Sequence, residues 1–162
     1  MAKKKKSTAK TLPMRILEEK RIPYQPRQQA RKQFSAEGVA TELGVAVAWV
    51  VKAMIVQRSD RRFALVIIPG DMQLSLKKVG SLLGDKNVQM ASQRDVQRVT
   101  GYQVGAVSVM GYRRDDIPGY VDQNVLKLER LIISSGRPDM GLEMDPQDMV
   151  QAIDAQVADL AY

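Results

Sequence analysis

Two apolar, β-branched runs, "VVKAMIV" (50–56) and "FALVIIPG" (63–70), are separated by the polar "QRSDRR", a pattern that predicts a strand hairpin. Upstream, Leu12, Ile16 and Leu17 recur at helical spacing, with Pro13 tolerated in the first turn. "PYQPRQQARK" is polar, holds two prolines and predicts an extended or looped connection. "SAEGVATELG" predicts a helix capped by Ser35 and stopped at Gly44. "SLKKVGSLLG" repeats that grammar, with Ser75 as cap, Leu76, Val79 and Leu83 inward and Gly84 as stop. "NVQM" predicts a short strand. "SQRDVQRVTG" predicts a third helix, in which Ser92 and Asp95 resemble a capping box. "YQVGAVSVMG", "GYVD", "LERLIISSG" and "GLEM" are short strand candidates, and "DPQDMVQAIDAQVADL" closes as a helix capped by Asp145 with Pro146 in its first turn.

Helices and strands are thus interleaved without the long regular crossovers of a doubly wound fold. The pattern predicts a single α+β domain, residues 12–162, with a mixed, curled, barrel-like sheet flanked by helices. A basic, disordered tail is expected over residues 1–11.

Alternation along the first strand puts Lys52 on one face with Val50, Met54 and Val56, and Val51, Ala53 and Ile55 on the other. Both faces are apolar, so both are expected to be covered, and an unpaired ammonium there is costly. Either its long stem carries the charge to a rim, or the charge projects into a cleft and meets an anionic or oxyanionic group. The pattern leaves both open.

Composition removes most familiar chemistries. The chain has no histidine and no cysteine, which excludes a Ser-His-Asp triad, a Cys-His dyad, an ordinary zinc site and any disulfide. Neither common nucleotide-binding glycine motif occurs, and no cofactor or metal is expected. No apolar run is long enough for a membrane span or a signal peptide, and a cytoplasmic protein is expected. The net charge of +7 is concentrated at one end: five lysines lie in "MAKKKKSTAK", leaving 20 basic against 18 acidic residues. Bulk charge therefore does not make the body a nucleic-acid binder. The adjacent acids of "RRDD" (113–116) read as a solvated turn, and the nine methionines as core filler.

In order and spacing, "IPY", "FSAEGVATELG", "VVKAMIV", "LSLKKVGSLLG", "VTGYQVGAVSVMG" and "LIISSG" resemble the YbaK family. These are free-standing relatives of the editing domain inserted in bacterial prolyl-tRNA synthetases, and the resemblance covers roughly residues 12–160. It implies a trans-editing hydrolase that cleaves the ester of a mischarged aminoacyl-tRNA, a small amino acid such as alanine or cysteine on the proline tRNA. It also implies aminoacyl-tRNA as partner through its acceptor end, and prolyl-tRNA synthetase as a second partner. Lys52 falls on the family's essential lysine, Phe34 on an aromatic lining the aminoacyl pocket, Gly101, Tyr102 and Gly105 on its Gly-rich loop, and Ser134, next to Gly136, on the opposite wall. Expected roles follow: amides of Gly105 and Ala106 for the carbonyl oxygen, Lys52 for charge, Phe34 and Tyr102 for the pocket, and Ser134 for the amino group or ribose. Arg27, Arg31 and Lys32 are candidates for the acceptor stem. This chain has Val109 where the family loop carries a proline, and Gly141 where some members carry an aspartate. Val109 favours the alternative reading, a catalytically inactive binding module of the same fold for aminoacyl-tRNA or a related small ligand.

Overall fold

The computed structural model describes residues 9–162. Of the expected basic tail, residues 1–8 lie outside the described residues; Lys10 is ion-paired with Glu18 at 2.6 Å, and Thr11 is the N-cap of the first helix. The elements run α1 (Leu12–Glu19), β1 (Gln25–Gln28), α2 (Ala36–Leu43), a 3-10 turn (Val47–Trp49), β2 (Lys52–Gln57), β3 (Phe63–Ile68), α3 (Leu76–Leu83), β4 (Gln89–Met90), α4 (Gln93–Thr100) and β5 (Gly119–Asp122). A second 3-10 turn (Gln123–Lys127), β6 (Leu131–Ser134), β7 (Met140–Met144), α5 (Pro146–Ala152) and β8 (Gln156–Ala158) complete the chain.

The strands form two sheets, a five-stranded one of order β4-β2-β3-β5-β8 and a three-stranded one of order β1-β7-β6. β3–β5 and β5–β8 pair in parallel, and the other pairs are antiparallel. The sheets touch through a parallel bridge between Val50 and Ile132, where the Val51 N–H donates to the Ile132 carbonyl at 3.2 Å. The α+β class holds, but the single curled, barrel-like sheet does not: these sheets are not closed into a barrel.

Burial explains the unbroken apolar runs. Val51, Ile55, Leu65 and Ile67 pack toward Leu131, Ile133, Leu142 and Met144 of the small sheet. Their neighbours Val56, Ala64, Val66 and Ile68 pack on the other side with Val79, Val88 and Leu160. β3 is buried at all six residues because it is central and covered on both faces.

The caps read from sequence are in place. The hydroxyls of Ser35, Ser75 and Ser92 accept from Gly38, Lys78 and Asp95 N–H at 3.0, 3.2 and 3.1 Å. Gly44, Gly84 and Gly101 close the same three helices in the left-handed region. Other expectations are corrected. "YQVGAVSVMG" is a loop, not a strand, because Gly101, Gly105 and Gly111 all take positive φ and break the extended run. The last helix stops at Ala152; Asp154 turns the chain at φ 49 and β8 joins β5 in parallel. The polar segment near residue 26 includes strand β1, whose Pro26 is accommodated at the sheet edge. Leu12 is exposed, while Met14 and Leu17 supply the buried face of α1.

One buried carboxylate ties β5 to the chain beyond β8. Asp122 Oδ1 accepts from the Leu160 and Ala161 N–H at 2.8 and 3.0 Å, while Oδ2 accepts from the Asn124 backbone and side-chain amides at 3.0 and 2.9 Å. Asp122→Ala strands buried donors and is expected to lower stability by about 3 kcal/mol, read as a reduced urea midpoint. Asp122→Asn, which keeps one acceptor oxygen, loses less.

Candidate active site

Where the two sheets diverge beyond the Val50–Ile132 bridge, they enclose a cavity of about 430 Å³. Lys52, at the start of β2, lines it and is neither fully buried nor fully exposed. Among the described residues its ammonium has no hydrogen bond and no ion pair, unlike Lys10 or Lys78, which are held by Glu18 and Asp159. A cation beside an apolar wall with no internal partner is available to an external anion.

Gly105, at the tip of the loop after α4, lines the same cavity with φ 87. A Cβ on it would fall 2.8 Å from Phe34 Cβ and 3.0 Å from the Phe34 carbonyl oxygen, so a side chain has neither conformation nor room there. Phe34 forms the adjoining rim and is 49% exposed, too open to be a core aromatic. The Gly105 N–H has no partner among the described residues. The neighbouring Ala106 N–H donates to the Gln103 carbonyl at 2.9 Å and Ala106 is buried. Of the two amides expected to receive a carbonyl oxygen, one is therefore already engaged.

Ser134 also lines the cavity, but its hydroxyl is occupied: it donates to the Ala106 carbonyl at 3.1 Å and accepts from the Gly136 N–H at 3.0 Å. Its carbonyl receives the Ser108 hydroxyl at 2.6 Å. Ser134 thus clips the glycine loop to the end of β6. Gly101, Tyr102, Ala106 and Gly136 are not among the residues lining the cavity. Gly101 ends α4, and Tyr102 stands behind the loop, donating its hydroxyl to the Met110 carbonyl at 2.7 Å. The Tyr102 ring leaves no room for a Cβ on Gly136, which would fall 2.8 Å from it. Tyr102 meets Tyr112 edge-to-face at 6.2 Å. Burial pushes the Tyr102 phenol up to about 12 and raises that of Tyr112 well above its ordinary value, so both remain neutral donors.

Val109 is buried, with the loop fixed beside it by Ser108 and by the Tyr112 hydroxyl, which donates to the Ser108 carbonyl at 2.7 Å. Gly141 is a steric requirement, since a Cβ there would fall 2.5 Å from Ile132 Cγ2. Arg27 is ion-paired with Glu143, and Arg31 with Glu42 at 3.1 Å.

Sequence reasoning missed several walls. Gln33, Ser35 and Glu37 line one side, and Met54, Met90 and Ala91 supply apolar surface. Arg137 lines the cavity too, and its guanidinium is held by Asp139 through two bonds of 3.0 and 2.9 Å. The position of Glu37 one residue beyond the segment Phe34–Ser35–Ala36 was the available signal. Met90 and Ala91 join only through the tertiary fold.

Comparison with known proteins identifies the family of the chain. The model of the aminoacyl-tRNA editing domain matches residues 31–152. EbsC of Enterococcus faecalis, named as a candidate Cys-tRNA(Pro)/Cys-tRNA(Cys) deacylase, is 30% identical over 97% of this chain and 96% of its own. The proline–tRNA ligase of Caldicellulosiruptor bescii is 29% identical over 64% of this chain, and the match spans only 17% of the ligase. Among solved structures, hypothetical protein APE2540 superposes with TM-score 0.85 at 27% identity, over 90% of this chain and 96% of that one. A candidate trans-editing enzyme for prolyl-tRNA synthetase shares the fold, with TM-score 0.79 at 24% identity over 86% of this chain and 87% of its own. By the family model over residues 31–152 and by a relative 30% identical over 97% of its length, the chain belongs to the aminoacyl-tRNA editing-domain family.

Proposed function

We propose that the protein is a trans-editing hydrolase that cleaves the ester of a mischarged aminoacyl-tRNA, removing a small amino acid such as alanine or cysteine from the proline tRNA. The observation that carries this reading is the pair of unpartnered groups, the Lys52 ammonium and the Gly105 N–H, on one cavity. Its volume, about 430 Å³, suits a small aminoacyl group with its ribose rather than a long peptide.

An aminoacyl ester is already activated by the hydroxyl beside its leaving ribose oxygen, so the protein need not supply a nucleophile. Water adds to the carbonyl carbon, the tetrahedral oxyanion takes the Gly105 N–H, and the C–O bond to the ribose breaks. The ribose oxygen leaves with one proton of that water, the other passes to solvent, and the amino acid departs as its carboxylate. Lys52 anchors the negative charge of the tRNA terminus or of the reacting ester, and Phe34 covers the entrance. Positioning and electrostatics carry the rate, which fits a chain with no histidine or cysteine. The near-neutral body, with Arg27 and Arg31 paired internally, favours selection of the tRNA together with prolyl-tRNA synthetase in the cytoplasm.

The direct test is deacylation of a panel of mischarged tRNAs, with turnover expected for alanyl or cysteinyl esters on tRNA(Pro). Lys52→Ala is expected to lower kcat/KM by about 100-fold or more with an unchanged melting temperature. Full activity in that variant would remove Lys52 from the site. Gly105→Ala, strained at its positive φ and crowded against Phe34, is expected to lose activity to a similar extent and about 1–2 kcal/mol of stability in urea.

A further inference from the structure

Strand β2 has an unfinished edge. In an antiparallel ladder alternate residues direct both backbone groups to the same neighbour, and the residues between them direct both groups the other way. The Ile55 carbonyl accepts from the Ala91 N–H at 3.0 Å and the Val51 N–H donates to Ile132, so both face away from β3. Ala53, two residues from each, is in the same phase. On that side β4 pairs only with Val56 and Gln57, and the small sheet reaches only Val50 and Val51. The N–H and C=O of Ala53 therefore have no partner among the described residues, and Ala53 lines the cavity. Unpaired strand amides are uncommon away from bulk water, and here a matched donor and acceptor face the space assigned to substrate.

We infer that the aminoacyl group docks on this edge as a single added residue of sheet, its α-ammonium donating to the Ala53 carbonyl and its ester carbonyl accepting the Ala53 N–H. The inference rests on the editing function proposed above and names how the amino acid itself is held. An aminoacyl ester carries the same two groups as one strand residue, a nitrogen donor and a carbonyl acceptor across one Cα. That is the complement Ala53 offers. The Ala53 N–H supplies the second donor to the developing oxyanion, the one that Ala106, bonded to Gln103, does not.

The docking also sets which side chains fit. Residues opposite one another in an antiparallel pair project to the same face, so the substrate side chain falls on the face of Val51, Ala53 and Ile55. Ala53 presents a single methyl there, between larger neighbours that line the same cavity, which leaves space for a small side chain. Ala53 is thus a specificity-determining position through its size and a binding position through its backbone. Glu37, the one carboxylate lining the cavity, is the competing site for the ammonium.

Backbone substitution separates these roles. Replacing Ala53 with L-lactic acid turns its amide into an ester and deletes only the N–H; a 10- to 100-fold fall in kcat/KM with little change in urea midpoint is expected. The same replacement at Ala64, whose pairing with Val56 belongs to the β2–β3 ladder, should lower stability and spare catalysis. Ala53→Val keeps the backbone and fills the space, so alanyl ester turnover should fall at least tenfold relative to glycyl ester. Glu37→Gln is expected to lower kcat/KM less than the Ala53 ester replacement does. Binding is read separately with 3′-alanylamino-3′-deoxyadenosine, an amide-linked analogue, which should shift the Ala53 N–H resonance downfield. Wild-type turnover with an unaffected Ala53 ester variant overturns the strand-edge docking and leaves the editing function standing, as does loss of activity in Glu37→Gln with Ala53→Val indifferent to side-chain size. No wild-type turnover on any mischarged tRNA overturns the editing function; a shifted Ala53 resonance would then still support the docking, and an unshifted one would end both.

Discussion

A strand with two edges must find partners for both, and β2 finds a continuous one only in β3. On its other side, β4 covers one end, and the small sheet contributes a single bridge at the opposite end. The gap between those attachments is the cavity. Every feature with chemical potential is arranged around this omission. Lys52 stands at the start of the strand, and the loop carrying Gly105 approaches with Phe34 from across the opening. The fold can leave the edge open because β3 is buried on both faces and anchors β2 along its whole length.

Holding the glycine loop requires a separate set of bonds, since the loop has no regular structure of its own. The Ser108 hydroxyl donates to the Ser134 carbonyl and the Ser134 hydroxyl to the Ala106 carbonyl, which joins the loop to the end of β6, and Tyr102 and Tyr112 brace it from behind. Gly101, Tyr102, Ala106 and Gly136, expected at the substrate, are not in the cavity lining. A support made from buried hydroxyls and aromatic rings is rigid, and rigidity lets one backbone amide act at a defined point.

Much of the framework was legible because it is local. Serine caps and glycine stops delimit α2, α3 and α4 within a single segment each, and β2 and β3 declare themselves by unbroken apolar runs. Lys52 was visible as an anomaly within one of those runs. The misread parts depend on distant pairings. The β-rich composition of "YQVGAVSVMG" favours a strand, yet its glycines take positive φ and its hydrogen bonds go to β6 and to its own turns. β8 exists because β5 offers it a parallel edge and Asp122 holds the residues that follow, neither of which its own residues announce. The vacancy beside Ala53 follows from strand order alone, which no window of sequence contains.

The apolar wall has a chemical liability of its own. Met54, Met90 and Met140 all line the cavity, and Met90 is 45% exposed. In a chain without cysteine, thioethers are the softest targets for peroxide. A sulfoxide on Met90 would place a strong hydrogen-bond acceptor beside the apolar side chains of Met54 and Ala91 in the cavity lining. Oxidation of Met90 would therefore change the polarity of the cavity without altering Lys52 or Gly105.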